Sequence, residues 1–164
     1  MTDAIKEANF AQRKAADPSV SAFVDASAGS GKTKLLTDRL LRLMLEGVSP
    51  QRILCLTFTR AAAAEMAIRL RDRLGTWAIV SDAALNVELA SLGYAPDEGQ
   101  RARARALFGL VLDLPGGMRI ATIHSFCQSL LRRFPLEAGI PPHWLGAMSW
   151  TSSRRRWSMP PSSL

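Results

Sequence analysis

Asp25-Ala26-Ser27-Ala28-Gly29-Ser30-Gly31-Lys32-Thr33 is the stretch on which the reading of this chain turns. Residues 26–31 carry small side chains or none, so the backbone can curl tightly and turn several N–H groups inward. Gly31-Lys32-Thr33 closes the pattern G-x-x-x-x-G-K-[ST], with Ala26 in place of its first glycine. Upstream, the apolar run Ala22-Phe23-Val24 predicts a buried strand over 21–26. Downstream, residues 33–46 are rich in leucine and predict a helix that Gly47 ends. Strand, small-residue loop and helix together make a phosphate cradle, because the helix start adds its positive dipole end to the inward N–H groups. Lys32 is expected to reach the β- and γ-phosphates of ATP, and the Thr33 hydroxyl to take the accompanying Mg²⁺. The expected nucleotide contacts are Ala26, Ser27, Ala28, Gly29, Ser30, Gly31, Lys32 and Thr33, with Lys32 and Thr33 in the catalytic role.

Outward from the loop, Ile-Leu-Cys-Leu-Thr-Phe at 53–58 is almost continuously apolar, the pattern of a strand buried on both faces. Residues 60–74 predict an alanine-rich helix with Met66, Leu70 and Leu74 on one stripe and Gly75 at its end. Residues 77–94 read as weakly helical and 97–113 as a clear helix. Pro115-Gly116-Gly117 is a turn, 118–123 a short strand and 125–134 a helix. Strands alternating with helices argue for parallel pairing in an α/β sheet.

The chain has 164 residues, room for about one domain. Its net charge of +7 favours a polyanionic partner, or else a solvated cationic surface. Cys55 and Cys127 lie far apart in apolar stretches and read as buried thiols, with no spacing for a metal or a disulfide framework. No run approaches the roughly 20 apolar residues of a membrane span, and residues 1–18 lack the apolar core of a signal peptide. The expected location is cytoplasmic, with no membrane partner.

The loop resembles the Walker A motif of UvrD-like superfamily 1 DNA helicases. Its alanine-first form is similar to that of the AddA and RecB subunits of recombination helicase–nucleases. Two further segments agree in order. Leu54-Cys55-Leu56-Thr57-Phe58-Thr59-Arg60-Ala61-Ala62-Ala63-Ala64-Glu65-Met66 resembles motif Ia, and Ala121-Thr122-Ile123-His124-Ser125-Phe126-Cys127 resembles motif Ib. Leu130-Leu131-Arg132-Arg133-Phe134-Pro135-Leu136-Glu137-Ala138-Gly139-Ile140 looks AddA-like. The resemblance implies that Gln12 reads the adenine, an amide being able to pair with both the amino group and a ring nitrogen. It implies that Thr57, Phe58, Thr59, Arg60, Thr122, His124, Ser125 and Phe126 lie along single-stranded DNA. Phe58, Phe126 and His124 can equally be core residues, and the Arg69/Arg71/Arg73 and Arg101/Arg103/Arg105 faces can meet DNA or simply be solvated. The implied partners are ATP, single-stranded DNA and a second, AddB-like helicase–nuclease subunit, in the repair of double-strand breaks.

The expected fold is α/β: a partial RecA-like P-loop NTPase domain over 1–142. Its parallel strands fall near 21–26, 53–58 and 118–123, with a helical insertion at about 76–114. An Asp-Glu pair ending a later strand, which such an enzyme needs for hydrolysis, is not recognisable in these residues, and neither is a second RecA-like domain. From His143 the composition changes: three tryptophans, Arg154-Arg155-Arg156 and Pro160-Pro161 read as a divergent, disordered tail, as a frameshifted or truncated reading frame would leave. The expected function is the ATP-binding N-terminal portion of a DNA helicase, the isolated chain binding nucleotide without hydrolysis or unwinding. The alternative is a standalone P-loop module that binds ATP or single-stranded DNA without helicase activity. A small nucleotide kinase shares the P-loop but leaves Thr57–Ala63 and Thr122–Phe126 unexplained.

Overall fold

A computed structural model describes residues 10–25 and 31–139. Two compact units divide at the Ile123–His124 bond. The first contains α1 (Lys32–Leu45), a 3₁₀ turn (Pro50–Arg52), β1 (Leu54–Thr57), α2 (Arg60–Ile79), α3 (Asp82–Ser91), α4 (Glu98–Leu112) and β2 (Arg119–Thr122). A helical stretch at residues 10–15 precedes them. β1 and β2 pair in parallel, with Leu54 opposite Arg119 and Thr57 opposite Thr122.

The core is built by leucines spaced to one helical face. α1 buries Leu40, Leu41, Met44 and Leu45, and α2 buries Met66, Leu70, Leu74 and Trp77. Leu85 and Leu89 of α3 and Ala104 and Leu107 of α4 complete the same cluster. Expected and observed helices agree at their starts, where side chains declare them: Thr59, Ser81 and Asp97 each accept a hydrogen bond from the backbone N–H three residues on. The end of α2 differs from expectation. Gly75 does not stop the helix, which runs on to Ile79. A Cβ at Gly75 would lie 3.4 Å from the Phe108 ring, so the glycine lets α4 approach closely instead of breaking α2.

Arginines lock the helices together. Arg105 donates to the carbonyls of Trp77, Ala78 and Val80 at the open end of α2 and to Asp82 at the start of α3. Arg103 donates to Leu45 O at the end of α1 (2.9 Å), and Arg101 to Asn86 Oδ1 (3.3 Å). The Arg101/Arg103/Arg105 face is therefore neither a DNA surface nor merely solvated; it satisfies helix ends that carry no partner of their own. Arg73 joins α1 to α3 through Asp38 and Glu88, while Arg69 pairs with Glu65 on its own helix.

The sheet is smaller than the sequence suggests. Among the described residues it has two strands, and residues 21–25 form no strand. Phe23 is 95% exposed. The carbonyls just upstream, of Ala15, Asp17 and Val20, are instead taken by the Arg39 guanidinium. With one neighbouring strand, β1 is not buried on both faces: Leu54 and Leu56 point to one side and are half exposed, while Cys55 and Thr57 are partly covered. The chain is thus mixed α/β with a small parallel sheet, short of a full RecA-like sheet.

The second unit is described by α5 (Ile123–Arg133), which starts one residue before the division, and by the turns that follow to Gly139. α5 has no buried residue. Cys127, expected to be a buried thiol, is exposed for that reason; Cys55 is partly buried, and burial pushes its thiol pKa up. The expected tail at 143–164 lies outside the described residues, as does loop 26–30.

Candidate functional site

Gly31 is the described end of the glycine-rich loop. It sits in the left-handed region (φ +82°) and forms the start of α1, and no side chain caps that start. Only glycine adopts this conformation without strain. Leu35 N donates to Gly31 O (3.0 Å), so the helix is established from its first turn. Lys32 is exposed and Thr33 half-buried in that turn, and the Thr33 carbonyl accepts from Thr37 Oγ1 (2.9 Å). The first turn contains no acidic residue. Its N–H dipoles and the Lys32 ammonium therefore face a bound anion with no competing carboxylate. Ala26, Ser27, Ala28, Gly29 and Ser30 lie outside the described residues.

Gln12 stands at this helix start. A Cβ on Gly31 would be 3.5 Å from Gln12 Nε2. Residues about twenty positions apart meet because arginines of α1 hold the N-terminal segment. Arg39 donates to the carbonyls of Ala15 (3.0 Å), Asp17 (2.6 Å) and Val20 (2.6 Å), and Arg42 to that of Arg13 (2.9 Å). The turn is tightened by Asp17, whose carboxylate accepts from Ser19 N and Oγ; those bonds hold its pKa below the usual range. Gln12, Arg13, Lys34, Asp38, Arg42 and Ser91 line a polar cleft beside it.

The second group of expected residues gathers at the carboxyl ends of the two strands, the side on which open α/β sheets bind ligands. Thr57 and Thr122 are register partners there. The Thr57 hydroxyl donates to Thr59 O (2.9 Å), and Thr59 Oγ1 caps α2 by accepting from Ala62 N (3.1 Å). These bonds fold the chain back so that Phe58 projects outward, 83% exposed, which removes it from the core. Arg60 is the first residue of α2, where a cation opposes the helix dipole and raises the local positive potential. In the second unit, His124 and Ser125 are exposed in the first turn of α5 and Phe126 is partly buried. The helices that follow the three motif segments (α1, α2 and α5) have no acid in their first turn, whereas α3 and α4 begin with Asp82 and Glu98.

The comparisons with known proteins fit this arrangement. The family model described as the UvrD/REP helicase N-terminal domain matches residues 8–157. The chain belongs to that family. Among curated proteins, the AddA subunit of the ATP-dependent helicase/nuclease from Pelotomaculum thermopropionicum is 37% identical over 123 residues, covering 73% of this chain and 8% of that protein. The protein of the same description from Levilactobacillus brevis is 39% identical over 120 residues, again 73% of this chain and 8% of the relative. The chain thus spans less than a tenth of the length of these relatives. No solved structure matches. The family match continues past residue 142, where the motif-based resemblance stops.

What the sequence did not signal is the scaffold of the site. Arg39 and Arg42 read only as polar interruptions of a leucine run, and nothing local says that their guanidinium groups collect backbone carbonyls more than twenty residues away. Among the described residues, no cluster of His, Cys, Asp and Glu could hold a metal ion directly. A Mg²⁺ ion at this site would have to come with the nucleotide, and the half-buried Thr33 hydroxyl is a suitable oxygen ligand for it. None of the described helices is long and apolar enough to cross a membrane.

Proposed function

We propose that these residues are the nucleotide-binding front portion of an ATP-dependent DNA helicase of the AddA type, acting in the cytoplasm on broken DNA. The observation that carries it is the left-handed Gly31 at an uncapped, acid-free helix start with Gln12 beside it. In this reading the loop 26–31 and Lys32 hold the triphosphate, Thr33 ligates Mg²⁺, and Gln12 pairs with the adenine. Mg²⁺, when bound with ATP, supplies charge neutralisation at the phosphates. Single-stranded DNA runs over Thr57, Phe58, Thr59, Arg60 and Thr122 and over His124, Ser125 and Phe126. Phe58 offers a face for base stacking and Arg60 a charge for phosphate. The helices of residues 76–114 are the start of an accessory subdomain, residues 1–142 the helicase-like part, and an AddB-like protein the partner.

The 164 residues by themselves bind nucleotide without turning it over, since no described strand ends in the Asp-Glu pair that would position an attacking water. Calorimetric titration with Mg-ATP, and phosphate release with and without single-stranded DNA, test both parts. Binding that Lys32→Ala weakens at least about tenfold, as loss of a charge-assisted phosphate contact requires, is expected. DNA-stimulated turnover by this chain would overturn the second part.

A further inference from the structure

We infer that Arg39 is a positioning residue for base selection at the nucleotide site. It would determine whether adenine is preferred while leaving the holding of the phosphates to the loop. The inference rests on the reading of Gln12 as the adenine contact and deepens it. Arg39 lies on α1, two helical turns beyond Lys32, on the flank of the helix that meets the N-terminal segment. One guanidinium takes three backbone carbonyls spread over six residues: Ala15 at 3.0 Å, Asp17 at 2.6 Å and Val20 at 2.6 Å. These carbonyls belong to the turn that follows the helical stretch bearing Gln12, where Ala16 N donates back to Gln12 O (2.9 Å). The position of the Gln12 side chain at Gly31 therefore depends on a turn that is held to α1 through Arg39.

The geometry is specific to arginine. A planar fork with five donors can serve three carbonyls at once, whereas a lysine ammonium at the end of its stem cannot span them. Arg42 adds one carbonyl, that of Arg13, and so steadies the same segment at its other end. The triphosphate cradle does not share this dependence, since Gly31, Lys32 and Thr33 are placed by the backbone of α1 itself. Base recognition and phosphate recognition are thus mounted on different supports, which makes them separable by substitution.

The test uses the 164-residue chain and three probes: ATP, GTP and inorganic tripolyphosphate. The unsubstituted chain is expected to prefer ATP to GTP by about tenfold, the worth of a paired amide. Arg39→Lys is expected to remove most of that preference while tripolyphosphate binding changes by less than about twofold. The decisive comparison is a cycle with Gln12→Ala. If Arg39 acts by positioning Gln12, Arg39→Lys has no further effect on the ATP/GTP ratio once Gln12 is gone. Additive effects in that cycle, or parallel loss of ATP and tripolyphosphate affinity, would overturn the inference. Should Arg39→Lys fail to fold, Asp17→Ala and Ser19→Ala, which loosen the same turn without touching α1, are expected to lower the ratio in the same direction, and an unchanged ratio in both overturns it. A chain that binds tripolyphosphate but shows no base preference overturns the inference and leaves the phosphate cradle standing. A chain that binds no tripolyphosphate overturns the nucleotide reading as well.

Discussion

Gly31 is where a single residue does most to shape the site. Its φ of +82° lies in the region that L side chains adopt only with strain, and an added Cβ would meet nothing closer than the Gln12 amide at 3.5 Å. Gly31→Ala is therefore penalised through the backbone and not through a clash, by about 1–2 kcal/mol. Part of this cost is relieved if the helix start shifts out of the left-handed region. The expected outcome is a modest fall in melting temperature together with a disproportionate loss of Mg-ATP affinity, read by thermal denaturation and titration on the same variant. A variant with wild-type affinity would show that the cradle does not need this conformation. Phe58 teaches a related lesson. Its aromatic ring at the end of an apolar run reads equally as core, and the outward turn imposed by Thr57 and Thr59 decides that it faces solvent.

Between elements, the arginines of α4 are the main surprise. Arg-x-Arg-x-Arg looks like a basic stripe, yet Arg105 closes the carboxyl end of α2 with three carbonyl acceptors and pairs with Asp82. Replacing Arg105 with Ala leaves those carbonyls to water. It is expected to lower stability by about 2 kcal/mol, less than the sum of the individual bonds because the side chain is partly exposed. Urea denaturation measures this. The same pair predicts a pH dependence. The Arg105 hydrogen bond holds the Asp82 carboxyl below its usual pKa, so folding gains from the charged form. That contribution is fully present above the unfolded value of about 3.9 and is lost as pH falls through the lower folded value. Melting temperature should therefore fall more steeply below about pH 4 in the unsubstituted chain than in Asp82→Asn, and equal slopes would count against the pairing. Deep in the helical layer, Leu74 is fully buried, and Leu74→Ala is expected to cost about 2–5 kcal/mol by the same denaturation measurement.

For the chain as a whole, the sheet is the liability. β1 and β2 pair only with each other among the described residues, and Leu54 and Leu56 leave an apolar face half exposed. Unpaired strand edges beside such a face invite association between chains. The isolated chain is expected to self-associate as concentration rises, and Leu56→Lys to shift sedimentation toward monomer. Identical sedimentation of the two would place the association elsewhere. The net charge of +7 opposes that association through repulsion and also favours polyanions, so added salt should promote self-association while weakening any DNA binding.

The sequence by itself determined what depends on short-range chemistry. The phosphate loop, the starts of α2, α3 and α4, the parallel pairing of residues 54–57 with 119–122 and the membership of a helicase family all rest on local residue types, caps and ordered motifs. Only the tertiary structure decided what depends on partners distant in the chain. Gly75 continues a helix because Phe108 lies against it, and Arg39 draws Gln12 to Gly31 through carbonyls some twenty residues away. Residues 21–25 stay out of the sheet, and Leu56 lies half exposed where its own pattern asked for burial. Periodicity and capping report the preference of a segment for a conformation. Burial and hydrogen-bond satisfaction belong to pairs of segments, and only the folded chain brings those pairs together.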